Sequence, residues 1–337
     1  MRVGVFDIGT KAVRLLVGDT KLASKYDFSF NDFNNFGDRT FLGDHIDSDG
    51  NLRIKGLEKT INKINEFKIQ TKKYNIEKFI GVGTAVFRNI NNCDDVKDIL
   101  HKQTGIEIKV LSKEEEAEYS HISAVISGED YLRPGDVSLL IDQGGGSTEI
   151  SFAIYDNTEK IQFKSVQSLN LGTVELKNKI FSYEGTFENV YQELIEESRK
   201  IVRSHKRYKT SGPMKAFGVG SGITNMTEKR GNKKQHGIEL SPEKIQYIAD
   251  KKLQEYSMLI WEVQPNIDPN YPEGKKRLIS SLKETYDKNP DVLDHPLSIL
   301  LARVSYKEIL DYYKIVRIRV CGAGLRYGVF FSQLFKY

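Results

Sequence analysis

LLIDQGGGSTEISFAIYD, residues 139–156, is the stretch from which the rest of the chain is read. An apolar run ends in Asp142, passes through Gly144, Gly145 and Gly146, and resumes at Thr148 as an alternating strand. Glycine lacks a Cβ and tolerates positive φ, so consecutive backbone N–H groups in such a turn can converge on one point. Nests of this kind hold anionic oxygens. A carboxylate at the lip of an anion nest repels the ligand unless a cation lies between them, which makes Asp142 a candidate Mg2+ ligand. The plainer alternative, an aspartate bonded to its own turn, stays open.

The N-terminus repeats the pattern. In FDIGTKAVRLLVGD, residues 6–19, a strand ends in Asp7, a glycine follows at position 9, and a second strand leaves at once. Asp142 lies 135 residues beyond Asp7, and the two stretches align as weakly duplicated hairpins. Five apolar strands run into glycine turns: at Gly9, Gly83, Gly144–Gly146, residues 218–222 and residues 322–324. In open α/β sheets, strand ends are where ligands collect. The two carboxylates, Asp7 and Asp142, sit at two such ends.

Between the hairpins, apolar positions Leu57, Ile61, Ile64 and Phe67 predict a helix over 54–74. Ser112 followed by Glu115 is a capping box opening a helix over 113–127. That helix begins EEEAE, either a solvated acidic face or a source of catalytic carboxylate, and His121 on it reads as a solvated surface histidine. A further helix is expected over 187–205, an irregular segment over 262–296, and a strand and turn at VRIRVCGAGLRYG.

The chain has 337 residues, room for two domains. Its 50 basic and 46 acidic side chains leave a net charge of +4, too mild for the dense basic stripe of a nucleic-acid binder. No apolar run reaches spanning length, so no membrane partner is expected. Cys93 and Cys321 have no metal-ligand spacing and read as free thiols in a reducing cytoplasm. There is no P-loop, no dinucleotide fingerprint, no nucleophile elbow around Ser221 and no zinc pattern among the six histidines.

At these residues the sequence resembles the exopolyphosphatase / guanosine pentaphosphate phosphohydrolase (Ppx/GppA) family of the actin-like ATPase superfamily. DIGTKAVRLLV resembles the family's first phosphate motif and VGTAVFRN its V-G-T-x-x-L-R. LSKEEEAEYSHISAV resembles its glutamate helix and IDQGGGSTEIS its second phosphate motif. SLNLGTVEL, GVGSGITNM and CGAGLRYG resemble later turns in chain order. The resemblance implies an α/β protein of two ribonuclease H-like (actin-like ATPase) domains with an interdomain cleft. These would be residues 1–124 and 125–324, with the last helix, 325–337, packing back on the first.

The resemblance further implies that Glu116 is the catalytic glutamate, activating a water. Arg88 would clamp phosphate. The turns at Thr10 and Lys11, at Gly144, Gly145, Gly146 and Ser147, and at Gly220, Ser221 and Gly222 would cradle it. Asp7 and Asp142 would hold Mg2+, and Glu149 would either orient the turn or help hold the metal. Arg326 is equally a helix-end packing residue. Lys11 and Ala12 replace the family's Asn and Ser/Thr, Gln143 an apolar residue beneath the turn, and Ile223 a Thr. The implied reaction is Mg2+-dependent release of terminal phosphate from polyphosphate or guanosine pentaphosphate, by a cytoplasmic protein for which a homodimer is an expected assembly. The basic loop with Lys229, Arg230, Lys233 and Lys234 is either a polyanion track or a solvated loop. The rival readings are a non-catalytic polyphosphate or alarmone sensor, motivated by Lys11 and Ala12, and a kinase or ATPase of the same superfamily.

Overall fold

The structure is a computed structural model that describes residues 1–21, 30–157, 160–183, 187–210, 212–227, 235–263, 283, 286–288 and 290–334. The basic loop at Lys229–Lys234, and residues 264–282 of the segment read as irregular, lie outside the described residues.

The hydrophobic runs read as strands build two sheets. In the first, β1 (Arg2–Ile8) and β2 (Ala12–Asp19) form an antiparallel hairpin, β3 (Asn34–Arg39) pairs with β2, and β4 (Lys78–Gly83) runs parallel to β1. β5 (Ile108–Val110) completes the order β3-β2-β1-β4-β5. The second contains β6 (Val137–Gln143), β7 (Thr148–Asn157), β8 (Lys160–Leu169), β9 (Met214–Val219), β10 (Glu239–Leu240) and β11 (Ile318–Val320). Its order is β10-β11-β9-β6-β7-β8. From β8 inward it reads β8-β7-β6-β9-β11, repeating the first sheet strand for strand and sense for sense. The duplication extends to the register: Asp7 faces Arg14 across the first hairpin, and Asp142 faces Glu149 across the second.

Both faces of each sheet are covered, which is why the central strands read as near-continuous apolar runs. Over the outer face of the first sheet, α1 (Ile54–Gln70), α2 (Ala85–Arg88) and α3 (Cys93–Thr104) bury Leu57, Ile64, Phe87 and Leu100 against Phe6, Ile8 and Leu15. α4 (Lys113–Ser127) starts with the expected capping box: Glu115 N–H donates to Ser112 Oγ (3.1 Å) and Ser112 N–H to Glu115 Oε2 (3.0 Å). α5 (Thr173–Ser182), α6 (Phe187–Ser204), α7 (Ser221–Asn225), α8 (Pro242–Val263) and α9 (Pro290–Tyr313) cover the outer face of the second sheet, packing Leu176, Leu194, Ile223, Leu300 and Tyr306 on Leu139 and Ile141.

α4 and α10 (Leu325–Phe331) fill the layer between the sheets. There Ile122, Val125, Tyr327 and Phe330 join Val3, Val5 and Leu16 of one sheet to Leu140, Phe217 and Val219 of the other. The two helices cross so closely that a Cβ on Gly328 would overlap the Tyr119 carbonyl group. α10 also packs on β1 and β2.

The expectation of a solvated histidine at position 121 is overturned, because α4 lies against the second sheet instead of facing water. His121 is fully buried, with Nδ1 2.7 Å from Ser151 Oγ and Nε2 2.7 Å from Ser138 Oγ. Ser138 gives its own proton to the Ala153 carbonyl (3.1 Å), so Nε2–H is the donor to Ser138 and Nδ1 accepts from Ser151. Desolvation alone pushes the imidazole pKa down to about 3. Cys93 and Cys321 are free thiols. Among the described residues no helix is long and apolar enough to cross a membrane.

Candidate active site

The strand ends that carry Asp7 and Asp142 border one cleft of about 250 Å3. Of the residues singled out in the sequence, Asp7, Thr10, Lys11, Glu116, Asp142, Gly144, Gly145, Gly146, Ser147, Gly220 and Ser221 line it. Arg88, Glu149 and Gly222 are not among the lining residues.

The glycine turn after β6 is braced from behind. Gly144 N–H closes the turn on the Ser147 carbonyl (2.9 Å) and is therefore spent inside the protein. The first N–H groups of α5, left without intrahelical partners, donate to the turn's carbonyls: Thr173 to Gly144 (3.0 Å) and Val174 to Gly145 (2.8 Å). With these carbonyls held, the amides of Gly145 and Gly146 are left without a backbone acceptor among the described residues at the cleft wall. Across the cleft, a Cβ on Gly145 would stand 3.2 Å from Thr10 Cβ, and one on Gly146 3.0 Å from Ala85 Cβ. These glycines allow the two duplicated hairpins to approach each other.

Gly222 has a different role. Its Cβ would stand 2.8 Å from Gln143 Oε1 and collide with Ala302, so it is a packing glycine beneath the cleft. Gln143, the polar residue at an apolar place, lies in that same buried layer. Its amide nitrogen donates to the Leu171 carbonyl (3.1 Å), the Leu301 carbonyl (3.2 Å) and Ser305 Oγ (2.8 Å). The side chain thus ties the end of β6 to α9 and to the loop before α5.

Glu116, on the first turn of α4, faces the cleft while Arg88 lies behind it. Arg88 Nη1 donates to Glu116 Oε2 (2.7 Å) and to the Leu111 carbonyl (2.8 Å). Its Nε and Nη2 are buried without a hydrogen-bond partner among the described residues. Glu149 is only 2% exposed and receives bonds from Ser147 Oγ (2.6 Å) and Ser168 Oγ (3.0 Å), so its carboxylate orients the serine that ends the glycine turn. Burial pushes Glu116 up to about 8, Glu149 adding to the rise and Arg88 opposing it. Burial likewise lifts Glu149 to about 7, against the bond from Ser147. Such displaced carboxyls are characteristic of acid–base sites.

Asp7 and Asp142 are both raised, chiefly by burial; Asp142 is raised further by Asp7, while Arg14 lowers both. Arg14 and Arg326, which the site reading left out or left open, line the cleft beside them. Arg14 could have been found from the duplication: a hairpin turning at Gly9 places residue 14 opposite residue 7. Arg326 stands in the CGAGLRYG turn, and the packing of α10 decides that it reaches the cleft. Burial and Arg14 press the Arg326 pKa down to about 10, and its Nη1 is buried without a hydrogen-bond partner among the described residues.

The donor set fits Mg2+ in one specific way. The carboxylates are hard oxygen ligands, yet no cluster of three or more His, Cys, Asp or Glu arranged to hold a metal occurs among the described residues. Mg2+ is commonly held by one or two carboxylates plus water and substrate phosphates, and Asp7 and Asp142 suit such a substrate-dependent site.

The chain matches the model of the Ppx/GppA phosphatase family over residues 22–285 and belongs to that family. It is 25% identical over 315 residues to a bifunctional 3-dehydroquinate synthase/phosphatase of Fusobacterium nucleatum, covering 91% of this chain and 43% of that protein. Exopolyphosphatase 1 of Mycobacterium tuberculosis is 28% identical over 159 residues, 47% of this chain and 44% of that one. The matches thus span less than half the length of either relative. In fold, the crystal structure of the Aquifex aeolicus Ppx/GppA family member superposes with a TM-score of 0.68 at 22% identity, covering 99% and 97% of the two chains. An exopolyphosphatase from Cytophaga hutchinsonii gives 0.70 at 18%, covering 100% and 99%. The fold class expected from the sequence is borne out.

Proposed function

We propose that the chain is a Mg2+-dependent phosphoanhydride hydrolase that releases terminal phosphate from inorganic polyphosphate. One observation carries this reading: Glu116 lines the same cleft as both strand-end aspartates and both glycine turns of the duplicated hairpins. Phosphoryl transfer to water asks the protein for positioning and charge stabilisation more than for covalent chemistry. The amides of Gly145 and Gly146 and the guanidinium groups of Arg14 and Arg326 receive phosphoryl oxygens. Glu116 takes the proton of the attacking water at its carboxylate, and the bridging oxygen leaves with the shortened chain. Arg88 holds that carboxylate in place from behind. Asp7 and Asp142 would hold Mg2+, which supplies charge neutralisation to the phosphoryl oxygens.

Polyphosphate is favoured over guanosine pentaphosphate because no aromatic ring lines the cleft among the described residues. A nucleobase pocket is ordinarily walled by apolar and aromatic side chains. The test is phosphate release from polyphosphate, guanosine pentaphosphate and ATP by the wild type and Glu116→Ala, with Mg2+ and with chelator. Release from polyphosphate that needs Mg2+ and Glu116 is expected. Binding without release would instead identify a sensor, and preferred release from guanosine pentaphosphate would reverse the substrate order.

A further inference from the structure

Beside the cleft, and sharing Lys11 and Thr173 with its wall, lies a cavity of about 10 Å3. That is room for about one water-sized group. Phe41, Lys177 and Tyr286 also line it. Lys177 projects from α5, the helix that braces the Gly144–Gly146 turn, and is 6% exposed. The stem is enclosed while the ammonium at its tip still meets water. Lys177 makes no hydrogen bond among the described residues. Its Nζ lies 3.6 Å from Asp44 Oδ2, beyond bonding distance, and 4.7 Å above the Tyr286 ring.

Asp44 belongs to the opposite side of the cleft. Its loop is bound to the first hairpin turn, with Gly43 N–H donating to the Thr10 carbonyl (2.9 Å) and Phe41 N–H to the Lys11 carbonyl (3.0 Å). Its side chain is 39% exposed, so water can stabilise it without the lysine. The pair is therefore asymmetric, with an enclosed lysine whose ammonium keeps donors available to an incoming oxygen and an anion that water already satisfies.

We propose that Lys177 is a secondary anion subsite of the cleft. It takes a non-bridging oxygen of a phosphoryl unit remote from the one cleaved, and that oxygen occupies the small cavity and displaces Asp44 as the ammonium's partner. The ligand class is a condensed phosphate chain, since one unit must occupy the glycine turns while another reaches Lys177. The inference rests on the phosphoanhydride reading and extends it to substrate length.

The alternative is that Lys177 and Asp44 are only a clasp across the cleft, and the two accounts predict opposite signs. As a subsite, Lys177→Met weakens long-chain polyphosphate binding by about tenfold, with a smaller effect on tripolyphosphate, whereas Asp44→Asn tightens it by freeing the ammonium. Lys177→Arg retains most of the affinity. As a clasp, Lys177→Met and Asp44→Asn shift KM and melting temperature in the same direction, whatever the chain length. Titration calorimetry with tripolyphosphate and long-chain polyphosphate, alongside KM and kcat for each, decides between them. Same-sign effects, or a loss independent of length, would overturn the subsite. Should the wild type release no phosphate yet bind long chains in a Lys177-dependent way, the hydrolase reading fails and the subsite stands. Wild-type binding equal to that of Lys177→Met overturns the subsite even if hydrolysis is observed.

Discussion

Arg88 Nη1 lies 2.7 Å from Glu116 Oε2, with the two side chains 15% and 14% exposed, and Arg88 opposes the protonation of the only helix-borne carboxylate lining the cleft among the described residues. Burial, reinforced by Glu149, carries the Glu116 pKa up to about 8 against the pull of Arg88. A general base acts in its ionised form, so turnover is expected to rise with pH through that value. Arg88→Met moves the rise to higher pH and Glu149→Gln to lower pH. Glu116→Gln costs about 10²–10⁴ in rate above that pH and progressively less below it, where the wild-type carboxyl is itself protonated. Profiles of kcat/KM against pH for the four proteins check all three statements.

The duplicated hairpins differ in charge at equivalent places: Asp7 faces Arg14, whereas Asp142 faces Glu149. A cation therefore gains more from the Asp142 side. Asp142→Asn is expected to raise the half-saturating Mg2+ concentration by about tenfold or more, and Asp7→Asn by less, since Arg14 and Arg326 already offset its charge. Mg2+ titrations of phosphate release by the two variants order them; equal shifts would contradict the asymmetry.

Gly328 has no room for a side chain, because α10 crosses α4 against the Tyr119 carbonyl. Gly328→Ala must push the helices apart in the layer that joins the sheets. A loss of about 1–3 kcal/mol or more is expected, read as a lower denaturation midpoint. Gly135, at φ +91 with open space around its Cβ position, gives the contrasting case, where substitution costs backbone strain alone.

His121 bolts α4 to the hairpin of β6 and β7. His121→Leu strands the Ser151 hydroxyl, while Ser138 keeps its bond to the Ala153 carbonyl, and should cost about 1–3 kcal/mol. The folded pKa of about 3 lies below the unfolded 6.5, so the unfolded chain binds the extra proton first. Stability from this group is therefore present above pH 6.5 and declines as pH falls toward 3. NMR of the ring should show an Nε2–H tautomer that does not titrate between pH 5 and 9, and denaturation of His121→Leu should show a weaker acid dependence.

The sequence alone determined the elements with local causes. The Asp-x-Gly hairpins, their offset, the Ser112 capping box and the buried strands all follow from residue spacing, and the duplication already implied matching sheets. Tertiary structure decided which polar groups reach the cleft and which are buried behind it. His121 looked solvated because helix periodicity cannot say which face another sheet will cover. Arg88 and Glu149 carried the signature of ligand contacts, yet they stand behind Glu116 and Ser147. Gly222 marks a contact with α9, some eighty residues further along the chain, and Lys177 gained its significance only when Asp44 was brought opposite it. Spacing fixes neighbours along one helix or hairpin, whereas burial and electrostatic partners depend on segments that meet only after folding.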